Sequence, residues 1–344
     1  MASVTCSASP FKRPLSRTLT WGAGQELHEL NHVLITVGMG SATGYAEAVP
    51  RPMILNETVE SVCAFIEEIA PHVPPELTRA NIDAFSDELF ATEGNLTAKA
   101  SLNCALYELL AAVEGTTVPE LLGMTPKPVR ACYILGHATP EALVEEIRTR
   151  CKEGVRGFKV KLTGDTEKDA TILAVLREET DCTFYVDGNQ LYSREQAAEL
   201  LQQFPQNVLY MEEPLPIADL EERKHLVAAT QTPIIGDDSC TTFAHIKEQI
   251  KHKTISMVNL KVPRAGFTEG RKILNYCQEH NIPVMIGSHA GYQLAAYHAY
   301  ILACHPAATS NLHELIYWLN VPEENRPELV DGTITFTQRP EVTA

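Results

Sequence analysis

Five charged residues arrive at regular intervals in the second half of the chain. They are Lys161 in GFKVKLTG, Asp187 in YVDGNQ, Glu212 in YMEEPL, Asp237 in IIGDDS and Lys261 in VNLKVPRAG, each roughly 25 residues from the last, the span of one βα unit. Each closes a short apolar run of the kind that forms a strand. Side chains alternate along a strand, so Lys159 and Lys161 share one face, as do Tyr185, Asp187 and Asn189, while Phe158, Val160 and Val186 face the other way. Three carboxylates on neighbouring strands repel one another unless a cation lies between them. Hard oxygen donors without His or Cys favour Mg²⁺, with water and substrate oxygens completing an octahedron. The lysines flank this cluster, Lys161 on one side and Lys261 on the other. A lysine acts as a base near neutral pH only when desolvation or a nearby cation lowers its pKa. Lys159 and the metal would do that for Lys161. The implied chemistry is removal of a proton α to a carboxylate, with the metal stabilising the enolate.

Taken singly, each residue has a plainer explanation. A Lys-x-Lys strand is usually a solvated edge, and an Asp or Asn after a strand usually caps the next helix. VDGN begins like a calcium loop, but the remaining ligands of such a loop are missing. Together, charges at the same end of five consecutive strands outweigh these readings, because charges without partners are costly to bury.

The elements that must position them follow from the repeat. From about Val129 the pattern alternates strand and helix: VRACYIL, FKVKL, CTFYVD, NVLYMEE, TPIIGD, ISMVNLK, IPVMIG and ATSNLHEL read as eight strands. Eight βα units predict a closed parallel barrel with helices outside and a site at the C-terminal ends of its strands. An open doubly wound sheet is the alternative, but no glycine fingerprint follows the first strand. On an eight-stranded barrel Lys161 and Lys261 lie on opposite strands, so a substrate would sit between two amines. Residues 1–125 read differently, with strands at 32–38 and after it, then helices; Val59, Val62, Ile66 and Ile69 mark one buried helical face. The tail PELVDGTITFTQ carries a hairpin signal at Asp331-Gly332 and is expected to return the chain to the N-terminal domain.

Composition bounds the partners. The chain has 344 residues, enough for one large barrel or two domains, and a net charge of −16, which argues against nucleic acid or an anionic membrane. Nine scattered cysteines with no CxxC spacing suit reduced thiols in a cytoplasmic protein. No secretory signal or membrane span is evident.

With those motifs in view the chain resembles the enolase superfamily, in its muconate-lactonizing-enzyme subgroup. YAEAVPRPMILNETVESV, ALYELLA, VPELLGM, GFKVKLTG, YVDGNQ, YMEEPL, IIGDDS and VNLKVPRAG carry the resemblance along nearly the whole chain. Lysine-and-Mg²⁺ chemistry is a general pattern of such sites. The resemblance implies an α/β fold: a (β/α)8-type barrel (126–320) under an α+β capping domain (1–125), completed by a C-terminal segment (321–344). It implies Mg²⁺ on Asp187, Glu212 and Asp237 rather than on Glu213 or Asp238. Lys161 and Lys261 would be the acid/base pair, and Lys159 would support Lys161. Lid loops near 13–25 and 49–56, the second holding Arg51, would select a small carboxylate substrate. Homo-oligomerisation is expected by analogy.

Three departures bear on that substrate. The usual Asp-Glu pair is Asp237-Asp238, the seventh strand ends in GSHAGYQ without a glutamate, and NLHELIYW lacks the Asp-x-Asp with which dipeptide epimerases hold an ammonium. Ser288, His289, His313, Glu314 and Trp318 are candidate replacements, alongside Asn189. A racemase or epimerase of an amino-acid derivative or dipeptide is the first expectation. Cycloisomerisation, β-elimination and a catalytically silent carboxylate-binding barrel are the alternatives.

Overall fold

The computed structural model describes residues 3–21, 25–321 and 327–342. Three antiparallel strands open the chain: β1 (Thr5–Trp21), β2 (Gln25–Met39) and β3 (Ala42–Ala48), in the order β1-β2-β3. Val33, Ile35 and Val37 alternate inward on β2 and are fully buried. The expected lid loop at 13–25 is largely strand, because β1 runs to Trp21 and pairs back on β2 from Gln25, with a register shift between Pro14 and Leu19. Residues 22–24 lie outside the described set. The other lid segment contains the short helix Pro52–Leu55.

The helix Leu96–Glu114 joins the two layers. Thr97 through Ala111 are all buried on it, as expected of a helix covered on every side, and Gly115 ends it in the left-handed region. On one side it meets β3 so closely that a Cβ at Gly44 would lie 2.2 Å from the Ala105 carbonyl oxygen. On the other it docks on the kinked helix Val262–Glu279. There Gly266 adopts φ 61°, and Asn103 accepts from the N–H groups of Phe267 (2.8 Å) and Thr268 (3.1 Å).

After the two-residue strand β4 (Val129–Arg130), seven parallel strands follow: β5 (Cys132–Leu135), β6 (Gly157–Lys161), β7 (Thr183–Asp187), β8 (Val208–Glu212), β9 (Ile234–Gly236), β10 (Met257–Lys261) and β11 (Val284–Gly287). They lie side by side in sequence order, each joined to the next by a helix. Outward-facing Phe158, Val160, Phe184 and Val186 are buried beneath those helices. The expected eighth strand is reduced to a bridge. Residues 312–314 close the barrel through His313 N–H to Arg130 (3.0 Å), Cys132 N–H to His313 (2.8 Å) and Glu314 N–H to Ile286 (2.9 Å). The segment cannot extend, because Ser310 bends the chain at Leu312 on one side and Leu315 N–H turns back to His313 on the other.

The tail forms the expected hairpin, β12 (Leu329–Val330) and β13 (Thr333–Ile334), with Asp331 and Gly332 both at positive φ. It pairs with β4 at the start of the barrel rather than with the N-terminal sheet. The residues beyond it reach that sheet: Arg339 bonds Glu108 at 3.2 Å and lies over the Tyr45 ring. All nine cysteines are free thiols. No described helix is long and apolar enough to cross a membrane.

Candidate active site

Register places the predicted groups at one level. Across the parallel ladder Lys161 stands beside Asp187, and Asp187 beside Glu212; one step deeper, Lys159 stands beside Tyr185. Asp237 follows the end of β9, and Lys261 ends β10. The sheet order puts β6 and β10 four strands apart on a ring of eight, so Lys161 and Lys261 face each other across the barrel. Both line a cavity of about 650 Å³ under the lid, with Lys159, Asn189, Asp237, Ser288, His289, Glu314 and Arg51.

The ammonium groups sit among the carboxylates. Lys159 Nζ lies 3.1 Å from Asp187 Oδ2, 2.7 Å from Glu212 Oε2 and 2.9 Å from Glu314 Oε1. Lys161 Nζ donates to the same Asp187 oxygen at 2.5 Å. Lys261 Nζ donates to Asp237 Oδ2 at 2.6 Å, and Arg264 donates to Asp237 Oδ1 at 2.9 Å. Apart from Lys161, which is partly exposed, these groups are almost wholly buried, from Glu212 at 0% to Asp237 at 8% exposed, so their charges act with little screening. Burial alone would push Asp187 up, but Lys159 and Lys161 outweigh it and hold the carboxyl at about 2. Burial likewise opposes ionisation of Asp237, and Lys261 and Arg264 hold it well below the usual range. Lys159 is driven well above its ordinary value, because Asp187, Glu212 and Glu314 overcome its desolvation. It stays an ammonium.

Glu212 is the exception. Burial and the neighbouring Asp187 push it well up, and Lys159 does not compensate. Its Oε2 lies within ion-pair distance of Lys159 yet accepts no hydrogen bond, so the contact is Coulombic without directed geometry. Among the described residues no three His, Cys, Asp or Glu side chains close on one point as a metal cage. The donor set still fits a hard divalent cation: three aligned carboxylates, one with an unused oxygen and uncompensated charge.

The adjacent acids have other duties. Glu213 turns away from the barrel axis to Arg223 and receives the N–H groups of Asp237 (2.7 Å) and Ser239 (3.0 Å), which fixes the loop carrying Asp237. Asp238 lines the cavity and accepts from Gln190 at 3.5 Å.

The remaining candidates divide. Glu314 points inward and receives Lys159, Tyr185 OH (2.6 Å) and the Ser288 N–H (2.6 Å). His313, its neighbour, alternates to the other face; its Nδ1 accepts the Ile286 N–H at 2.9 Å and it does not line the cavity. It is a scaffold group, and burial lowers its pKa to about 3. Trp318 falls in the short helix Tyr317–Asn320, and its side chain lies outside the described residues. Arg264, Asn259 and Gln190 escaped the sequence reading. Asn259, which donates to Glu212 at 3.2 Å, was accessible through its spacing of two from Lys261; Arg264 and Gln190 lie past strand ends, where no alternation applies.

The comparisons with known proteins agree with this geometry. Residues 142–340 match the model of the family described as enolase C-terminal domain-like. The o-succinylbenzoate synthase of Bacillus subtilis (strain 168) is 24% identical over 80% of this chain and 74% of its own length. A structure of muconate lactonizing enzyme from M. smegmatis, complexed with muconolactone, superposes with a TM-score of 0.88 at 27% identity, covering 97% of this chain and 94% of that one. A dipeptide epimerase from Cytophaga hutchinsonii, complexed with Mg and D-Ala-L-Val, superposes with a TM-score of 0.86 at 23% identity, covering 96% and 93%. The barrel, its antiparallel cap and these matches place the chain in the enolase superfamily, among the muconate lactonizing enzymes and their relatives.

Proposed function

We propose that this protein moves a proton α to a carboxylate, in a racemisation or epimerisation of an amino-acid derivative or dipeptide. The observation that carries the reading is the placement of Lys161 and Lys261 on opposite walls of one cavity. Asp187, Glu212 and Asp237 would hold Mg²⁺, which when bound draws charge from the substrate carboxylate as the proton leaves. Lys161 takes the proton from one face of the α-carbon, and Lys261 returns one to the opposite face, or the reverse. Lys159 stays protonated and places a second positive charge on the Asp187 oxygen that Lys161 also reaches. Glu213 and Arg264 hold Asp237 in place. In the same reading residues 1–125 are the capping domain, 126–320 the barrel and 321–344 the C-terminal segment that returns to the capping domain.

Cycloisomerisation is the second reading, supported by the match to the muconate lactonizing structure; β-elimination shares its half-reaction, and o-succinylbenzoate synthase is a relative. The test is α-proton exchange in D₂O with Mg²⁺, followed by mass spectrometry on dipeptides, N-acyl amino acids, betaines and lactones. Deuterium in both stereoisomers of one compound supports the two-base reading. Deuterium without inversion moves the assignment to the second reading. Absence of exchange in every class overturns both and favours a silent barrel.

A further inference from the structure

Every cation on the barrel wall of the site has a carboxylate partner: Lys159, Lys161, Lys261 and Arg264 all do. Arg51, contributed by the lid segment, has none among the described residues. Its guanidinium donates to the backbone carbonyls of Pro50 (2.9 Å) and His289. Glu47, an acid whose charge reaches Arg51, is committed to His32 (2.6 Å) and to the N–H groups of Tyr292 and Ala295. Desolvation lowers Arg51 to about 10, which leaves it charged at neutral pH. A guanidinium lining a cavity without an anion is costly, and a ligand anion removes that cost.

His289 supplies an independent observation. It is 4% exposed, lines the same cavity, and neither ring nitrogen has a hydrogen-bond partner. Buried polar atoms are rarely left so. Burial first, then Lys261, Arg264 and Arg51, keep the ring neutral, so it can offer one N–H to an acceptor. The opposite preference, for an ammonium, finds little provision: Glu314 is occupied by Lys159, Tyr185 and the Ser288 N–H, which leaves Asp238 alone. Between the two ends the walls include Leu19, Leu27, Ile134 and Ile217, suited to an apolar spacer.

We propose that the substrate carries a second anionic group, remote from the carboxylate whose α-proton moves, and that Arg51 and the His289 ring seat it. The ligand class is a dicarboxylate or comparable dianion rather than a free α-amino dipeptide. The inference rests on the α-proton reading of the cavity.

The test is calorimetric binding, with Mg²⁺ present, to the full chain. The ligands are three N-acyl amino acids identical except that the acyl chain ends in carboxylate, carboxamide or methyl, and a dipeptide with a free amine. A charge-assisted pair predicts that the carboxylate-ended compound binds about tenfold tighter or more. Arg51→Met should bring it level with the carboxamide, Arg51→Lys should retain much of the preference, and His289→Ala should remove part of it. Equal affinities, tighter binding of the amine, or no binding of any member overturns the proposal. Deuterium exchange on the same samples separates the two readings: exchange without end-group preference removes the anion seat and leaves the proton chemistry, while preference without exchange does the reverse.

Discussion

Lys159 serves three buried acids at once, and its removal would leave Asp187, Glu212 and Glu314 short of countercharge. Breaking such a cluster by deleting one partner costs about 3–5 kcal/mol. Lys159→Met should therefore lower the unfolding free energy from urea titration by that much without metal, and Mg²⁺ should restore part of it, because a divalent cation neutralises the same oxygens. A loss that Mg²⁺ does not reduce would count against those carboxylates as its ligands. Lys161→Ala and Lys261→Ala should abolish α-proton exchange while leaving the folded spectrum and the Mg²⁺ titration intact; retained exchange in both would remove the two-lysine mechanism. Five strand-end charges were legible in the sequence because one spacing and one alternation fix their height and face together. His313 and Glu314 were not separable in that way. They are neighbours on a segment too short to display its own alternation, and only closure of the barrel decides that Glu314 points in.

Among the elements, the barrel strands could be read from repeated apolar runs, each bounded by a helix. β1 could not: it has Pro10 and Pro14 within it, residues that a strand interior seldom holds, and only in the structure does the alternating exposure of a sheet edge become visible. Its hairpin nevertheless carries Leu19 and Leu27 to the cavity. The sheet is positioned by one tight crossing, β3 against Leu96–Glu114. At Gly44 an added Cβ would meet the Ala105 carbonyl oxygen at 2.2 Å and the Leu109 nitrogen at 2.3 Å, both backbone atoms that cannot rotate away. Gly44→Ala should force the sheet off the helix and destabilise the fold by about 1–3 kcal/mol, the usual penalty of overpacking. Because the lid moves with the sheet, KM should rise more than kcat falls. An unchanged melting temperature would show that the sheet can slide, and would weaken the case for a rigid lid.

For the whole molecule, acid stability depends on histidines that folding keeps neutral. His32, His289 and His313 are all buried and all lowered, chiefly by desolvation. His313 gives the cleanest measurement, because it stands outside the cavity and its folded pKa is about 3 against about 6.5 in an unfolded chain. The unfolded state then binds a proton that the folded state refuses. Stability is fully present above pH 6.5 and is lost as pH falls toward 3. Asp238 works in the opposite direction: burial and Asp237 raise it to about 6, so the folded state gains a proton first and is favoured on mild acidification. The slope of the unsubstituted protein therefore mixes the two, and a variant is needed to separate them. His313→Asn should be less stable than the parent at pH 7, where it weakens the bond from the Ile286 N–H. The gap should shrink by about 2 kcal/mol between pH 7 and pH 5, the linkage expected of one histidine over that interval. Urea titrations of both proteins at the two pH values measure it. A gap independent of pH would mean that His313 is protonated in the folded barrel, and that the closing segment 312–314 is more open to water than its bridge to Arg130 and Cys132 implies.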